Sequence, residues 1–286
     1  MSHSKGGLVI LREMVNSLAP SEKKIAEYIL RNPEASIHLT ALKLGEVSDT
    51  SSAAVIRLCK SLGFSGFQEL KIRVAGDLRE EEVTDYRDIE PNEGLEAIID
   101  KVTTNTTQTL KETADMMSIA NLEKAVEALS RAKSVIFVGF GASYIAAKDA
   151  EQKFLRINKD VQAISDVHMA ATSIANKGPE DVVVGISFSG NTPEAVKLLE
   201  LAKKRKVKTL SITKYGSTLI SPFSDIQLHT SAAKEATFRS GATSSRIAQL
   251  HVIDILFISL ASREYDDTIK RLDETREAIA FLKEKK

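Results

Sequence analysis

The sequence predicts an all-α helix-turn-helix domain followed by an α/β domain built on a doubly wound parallel sheet. Three observations carry this. Two short apolar-periodic segments near the front flank Ser48-Asp49-Thr50, β-rich runs alternate with helical patterns from Lys133 onward, and two of those runs end in Gly/Ser-rich turns that lead into helices. A chain of 286 residues suits about two domains. The expected boundaries are the helix-turn-helix domain over 1–79, an acidic linker over 80–92 and the α/β domain with flanking helices over 93–286.

Composition narrows the function classes. Lys plus Arg equals Asp plus Glu at 39 each, so the chain as a whole has no bulk affinity for polyanions. Any nucleic-acid contact must be local, and residues 1–79 carry 11 Lys/Arg against 8 Asp/Glu, a mild excess of the right sign. The lone Cys59 excludes an intramolecular disulfide and a multi-cysteine metal site. It falls on an apolar helix face and reads as a buried structural thiol. The first residues lack the apolar core of a signal peptide, and there is no run of about 18 apolar residues, so a cytoplasmic protein without a membrane partner is expected. No metal or other cofactor is expected.

Leu8, Leu11, Val15 and Leu18 recur at helical spacing; after Pro20 a second set follows at Ile25, Ile29 and Leu30, ending at Asn32-Pro33. Two short helices are then predicted, Thr40 to Val47 and Ser51 or Ser52 to Leu62. The intervening Ser48-Asp49-Thr50 reads as a turn that caps the second of them. In that second helix Val55, Leu58, Cys59 and Leu62 share one face. The opposite side offers Ser51, Ser52, Ala53, Arg57 and Lys60, small residues at the amino end with two cations beyond, which suits close approach to base edges and phosphates. Short amphipathic helix pairs also occur in ordinary bundles, so the pattern alone leaves both readings open.

The run Val55-Ile56-Arg57-Leu58-Cys59-Lys60-Ser61-Leu62-Gly63-Phe64, continued by Ser65-Gly66-Phe67, resembles the amino-terminal helix-turn-helix of the RpiR family of bacterial sugar-phosphate-responsive regulators. The resemblance covers about Leu8 to Leu78. It implies an operator-DNA partner for the five residues named above.

Leu78 to Asn92 is acidic and poor in large apolar residues, a solvated connector. Helical segments from about Gly94 to Met117, suited to packing or dimerisation, and from Asn121 to Arg131 lead into the α/β region. There the expected elements are strands at 134–139, 161–164, 182–187, 209–213 and 226–229. Helices are expected at 146–157, 169–175, 193–204 and 246–261.

The first strand runs into Gly139-Phe140-Gly141-Ala142-Ser143, and the third into Ser187-Phe188-Ser189-Gly190-Asn191-Thr192-Pro193. Backbone N–H groups at a helix start, together with hydroxyls, favour a phosphate. A dinucleotide fingerprint is not met, because position 144, where its third glycine belongs, is Tyr144. The paired turns resemble the SIS (sugar isomerase) domain over about residues 121–260, which implies a flavodoxin-like three-layer sandwich. It also implies a phosphosugar held by Ser187, Ser189 and Thr192, closed by Ser143. Without a ligand, Ser143 and Thr192 could simply cap helices. Asp166 and His168, after the second strand, are candidates for sugar hydroxyls, with helix capping the competing reading. The resemblance adds Glu235 over the ligand, with Arg239 as a weaker candidate.

A SIS fold alone is compatible with a sugar-phosphate isomerase or etherase, for which Glu235 or His168 could act as base. The attached DNA reader favours a transcriptional regulator, a repressor acting as a homodimer or homotetramer, with ligand binding and no catalytic residue. Val74–Leu78 and Ala242–Arg246 resemble the MurR-like branch, which implies N-acetylmuramic acid 6-phosphate as effector. Glucose 6-phosphate, glucosamine 6-phosphate, ribose 5-phosphate and ketodeoxy-phosphogluconate stay open.

Overall fold

In the computed structural model, which describes residues 6–78, 90–231 and 242–282, the chain divides into two units, Met1–Met116 and Met117–Lys286. The first holds α1 (Gly7–Met14), α2 (Pro20–Arg31), α3 (Pro33–Ser36), α4 (Ala41–Val47), α5 (Ser52–Ser61), α6 (Phe67–Asp77) and α7 (Leu95–Met116). Prolines stand at the first position of α2 and α3, where a missing N–H costs nothing. Leu11, Ile25, Ile29, Leu44, Val55, Leu58, Leu70 and Val74 are buried and form the core of this unit. The start of α1 is capped from the far end of α6, Asp77 accepting from the N–H groups of Gly6 and Leu8 at 2.6 and 2.7 Å.

Two features differ from expectation. The first helix ends at Met14 instead of continuing to Leu18, because the N–H and hydroxyl of Ser17 both donate to the Met14 carbonyl at 2.8 Å. The helix over 95–116, expected to begin the second domain, falls in the first unit. There Glu112 faces Arg12 at 3.8 Å, and Asn105, Thr109, Thr113 and Met116 are buried. Of the acidic linker expected over 80–92, residues 80–89 lie outside the described residues.

The second unit opens with α8 (Ile119–Arg131) and then alternates β1 (Val135–Gly139), α9 (Ala142–Leu155), β2 (Val161–Ile164), α10 (Val167–Ala175), β3 (Val182–Ile186), α11 (Pro193–Lys204), β4 (Lys208–Lys214), a 3-10 turn (Ser221–Phe223) and β5 (Ile226–Thr230), closing with α12 (Thr243–Arg263) and α13 (Tyr265–Phe281). The strands are parallel in the order β2-β1-β3-β4-β5. β1 and β3 are buried at every position, as strands covered on both faces must be. One face, with Phe137, Val184 and Ile212, packs against α8, α9 and α12 through residues such as Phe154 and Val252. The other, with Ile136, Val138 and Val183, packs against α10 and α11.

The α13 helix was not anticipated, since its exposed, charged surface gives no strong apolar stripe. By length and composition alone α12 could cross a membrane. Its Val252, Ile253, Leu256 and Leu260 instead fill the sheet core.

Candidate functional site

In the first unit, α4 and α5 meet through a turn that works differently from the sequence expectation. Ser48 donates to the Leu44 carbonyl at 2.6 Å and the Thr50 N–H to that of Gly45 at 2.8 Å, so the turn closes the end of α4. The start of α5 is capped by Ser51, whose hydroxyl accepts from the Ala54 N–H at 3.2 Å. At its far end the Phe64 N–H reaches back to the Cys59 carbonyl at 2.8 Å.

The buried side of α5 carries Val55, Leu58 and Cys59, followed by buried Leu62. Burial pushes the Cys59 thiol up to about 11, far from a reactive thiolate. Ser51, Ala53, Arg57 and Lys60 are exposed and Ser52 half-buried, so the proposed DNA-facing residues gather on one side.

Two neighbours of that face were missed. Ile56 is 41% exposed between Ala53 and Lys60, a position that helical spacing alone would have flagged. Glu22 of α2 is buried and stands 4.0 Å from the Arg57 Nε, a meeting of two helices that local sequence does not announce.

In the second unit the order 2-1-3-4-5 places a topological switch point between β1 and β3, and ligands of such sheets sit at the carboxyl edge there. Gly139 of β1 is in register with Ile186 of β3. The Ser143 and Ser187 turns therefore leave neighbouring strands at the same level, about 4.8 Å apart.

The β3 turn is tightly made. The Ser187 hydroxyl pairs with that of Thr192 at 2.9 Å and accepts the Gly190 N–H at 3.2 Å. Ser189 accepts the Asn191 N–H at 3.2 Å. From outside, Asn191 accepts the Leu219 N–H at 2.9 Å, and the Ile220 N–H donates to the Gly190 carbonyl at 3.0 Å. Gly190 has φ of 66° and lies against Thr218.

Capping does not explain the hydroxyls of Ser143 and Thr192. Neither α9 nor α11 has a side-chain cap. Thr192 is engaged with Ser187, and Ser143 accepts the Nε2 donor of Gln249 on α12 at 3.0 Å. The first-turn N–H groups of α11 have no carbonyl of their own helix to bind, which leaves a partial positive charge beside the hydroxyls. Ser187 itself is only 2% exposed. An incoming acceptor must exchange with its bond to Thr192.

Of the polar pair after β2, Asp166 caps α10, accepting the Met169 N–H at 2.8 Å. His168 is exposed in the first turn of α10, at the same edge of the sheet. Glu235 and Arg239 lie outside the described residues. Near the carboxyl end of β5, His229 rests against Tyr215 with ring centroids 4.9 Å apart. Its Nδ1 is buried without a partner, and burial holds the imidazole below its ordinary range. Among the described residues no group of three His, Cys, Asp or Glu could hold a metal ion.

A cavity of about 910 Å³ lies at the opposite, amino edge of the sheet, lined by Lys124, Arg131, Lys133, Asp181 and Lys208 among others. Size alone does not make it the ligand site. It lacks the helix starts and convergent hydroxyls, and Asp181 is committed to Ser134 and the Gly178 N–H.

Two family models match the chain: a helix-turn-helix domain of the rpiR family over residues 5–81 and a SIS domain over residues 128–259. The HTH-type transcriptional regulator YbbH of Bacillus subtilis is 46% identical over 97% of this chain and 98% of its own length. The HTH-type transcriptional regulator HexR of Pseudomonas aeruginosa is 31% identical over 94% of each. Among solved structures, the Vibrio vulnificus NanR protein complexed with ManNAc-6P superposes with a TM-score of 0.61. It is 27% identical, covering 96% of this chain and 98% of that one.

Proposed function

The chain belongs to the rpiR family of HTH-type transcriptional regulators that carry a SIS domain, and from that premise we propose that it binds operator DNA through α5 under the control of a phosphosugar. The effector is held at the β1/β3 switch point. The observation that carries this reading is the Ser187–Thr192 turn at the head of α11, where paired hydroxyls and helix N–H groups meet at the ligand edge of the sheet. We assign the site binding and no turnover.

Ser189 and Thr192 receive the phosphate together with the N–H groups of α11, and Ser187 shapes the turn. Ser143 donates from the β1 side, and His168 and Glu235 take sugar hydroxyls. An acylated amino-sugar 6-phosphate is the first class to test, since the NanR neighbour was solved with ManNAc-6P; N-acetylmuramic acid 6-phosphate belongs to the same class.

The regulator acts in the cytoplasm as a homodimeric or homotetrameric repressor. Two copies of α5 must meet half-sites roughly 34 Å apart. Ligand closure of the two turns shifts the population away from that spacing, and a coupling of about 1–3 kcal/mol changes operator affinity about 5- to 150-fold.

A thermal-shift screen of phosphosugars, with unphosphorylated sugars as controls, tests the reading. A ligand at about 100 times its Kd stabilises by about 2.7 kcal/mol. The response should require the phosphate and disappear in Ser187→Ala, while operator binding persists. A panel without a hit, or a hit indifferent to Ser187→Ala, refutes the phosphosugar sensor.

A further inference from the structure

We infer that Gln249 is a positioning residue for the anion site: it fixes Ser143 as a hydrogen-bond donor. This rests on the phosphate reading above and goes one step further, because nothing in either turn names Gln249. It lies on α12, more than a hundred positions from Ser143, and is only 1% exposed. A buried primary amide is costly to place unless its hydrogen bonds are made. Here its Nε2 donates to the Ser143 Oγ at 3.0 Å.

The consequence follows from what a hydroxyl can do. A serine oxygen that accepts one bond still carries one proton to give, and the direction of that proton is set by where the oxygen is already engaged. The Ser143 hydroxyl has no acceptor of its own among the described residues; its single partner is the Gln249 amide. Ser143 is 9% exposed, in the first turn of α9, at the sheet edge where the β3 turn also opens. Its proton is thereby available to an acceptor-only group, and a phosphate oxygen is such a group. Without the amide, the hydroxyl would be free to turn and donate to a backbone carbonyl, as serines in helices do. A carboxylate at position 249 would take the proton itself and set a negative charge beside the anion.

The same bond joins α12 to the start of α9. When an anion accepts from Ser143, the polarised hydroxyl becomes a better acceptor for Gln249, since hydrogen bonds in a chain strengthen one another. Occupancy of the anion site therefore tightens the hold of α9 on α12.

The test uses the full-length protein with inorganic phosphate as the probe, its binding followed by phosphorus NMR titration, and the thermal unfolding curve of the second unit as the check that each variant is folded. The variants are Ser187→Ala, Ser143→Ala, Gln249→Met, Gln249→Glu and the double variant of Ser143→Ala with Gln249→Met. Loss of one such bond to an anion weakens binding by about 10- to 150-fold. Gln249→Met should lose about as much phosphate affinity as Ser143→Ala, and the double variant no more than either alone. A purely structural role would instead add to the loss from Ser143→Ala. Gln249→Glu should lose more than Gln249→Met. Phosphate binding that depends on Ser187 but is unchanged in Gln249→Met, or that falls additively in the double variant, overturns the role of Gln249 and leaves the phosphate reading standing. No phosphate binding by the wild type, or binding indifferent to Ser187→Ala, overturns both.

Discussion

Replacing Gly190 by Ala tests whether the geometry of the β3 turn is what makes the site. Gly190 has φ of 66°, and a Cβ built on it would lie 2.5 Å from the Thr218 Cβ and 2.6 Å from both Thr218 Cγ2 and Oγ1. The left-handed conformation costs an L-residue about 1–2 kcal/mol. Overpacking adds about 1–3 kcal/mol, and it cannot be escaped by rotating Thr218, because its Cβ is itself in the way. Thr218 is also buried and held to the Ser221 hydroxyl at 2.9 Å. Together these give about 2–5 kcal/mol. At roughly 2–4 °C per kcal/mol for a unit of this size, the unfolding midpoint of the second unit should fall by about 4–20 °C. The phosphosugar response should vanish with it. Adding Thr218→Gly should recover the steric part and leave the backbone part, so the two substitutions should be strongly non-additive. A Gly190→Ala protein with the wild-type midpoint and full ligand response, or strict additivity with Thr218→Gly, would refute the reasoning.

Three further outcomes are expected. Gly45→Ala should gain roughly 1 kcal/mol of helix propensity in α4, yet its Cβ would stand 2.8 Å from the Ser51 carbonyl carbon and 2.9 Å from the Ser52 nitrogen. The steric effect should win, lowering both stability and operator affinity; a stabilised variant with full operator affinity in a gel-shift titration would count against it. His229, held below the ordinary 6.5 by burial, is neutral when folded and binds a proton more readily when unfolded. Its stabilisation is complete above about pH 6.5 and declines as the pH falls toward the lower folded value. Melting curves between pH 7 and 5 should show this loss in the wild type and a smaller one in His229→Phe, and equal losses would remove the assignment. Arg57→Ala should weaken the operator, reduce the salt slope by about 1 and leave ligand affinity intact; unchanged operator binding would take Arg57 out of the interface.

Much of the molecule was legible in local sequence. The five strands and the order of helices followed from period and turn residues, because parallel strands buried on both faces are written as short β-branched runs such as Val182-Val183-Val184. Less was legible where a helix gains its place from tertiary contacts. α13 presents an exposed, charged surface, and α7 reads as amphipathic without saying which unit it joins. The site was legible in part. Its turn serines stand out because they interrupt apolar runs at strand ends, and Ala53, Arg57 and Lys60 because they oppose an apolar stripe. Ile56 lay within reach of the same spacing argument.

The sequence by itself determined a helix-turn-helix reader, an alternating parallel α/β unit and two hydroxyl-bearing strand-to-helix turns. These are written in neighbouring residues whose spacing is fixed by the helix and strand repeats. The tertiary structure alone decided that Ser48 and Thr50 close α4 while Ser51 caps α5, that Glu22 stands beside Arg57, and that Gln249 holds Ser143. Each hydroxyl and amide had several partners within its chemical repertoire. For Glu22 with Arg57 and Gln249 with Ser143, only the packing of distant elements brought the partner within 3–4 Å.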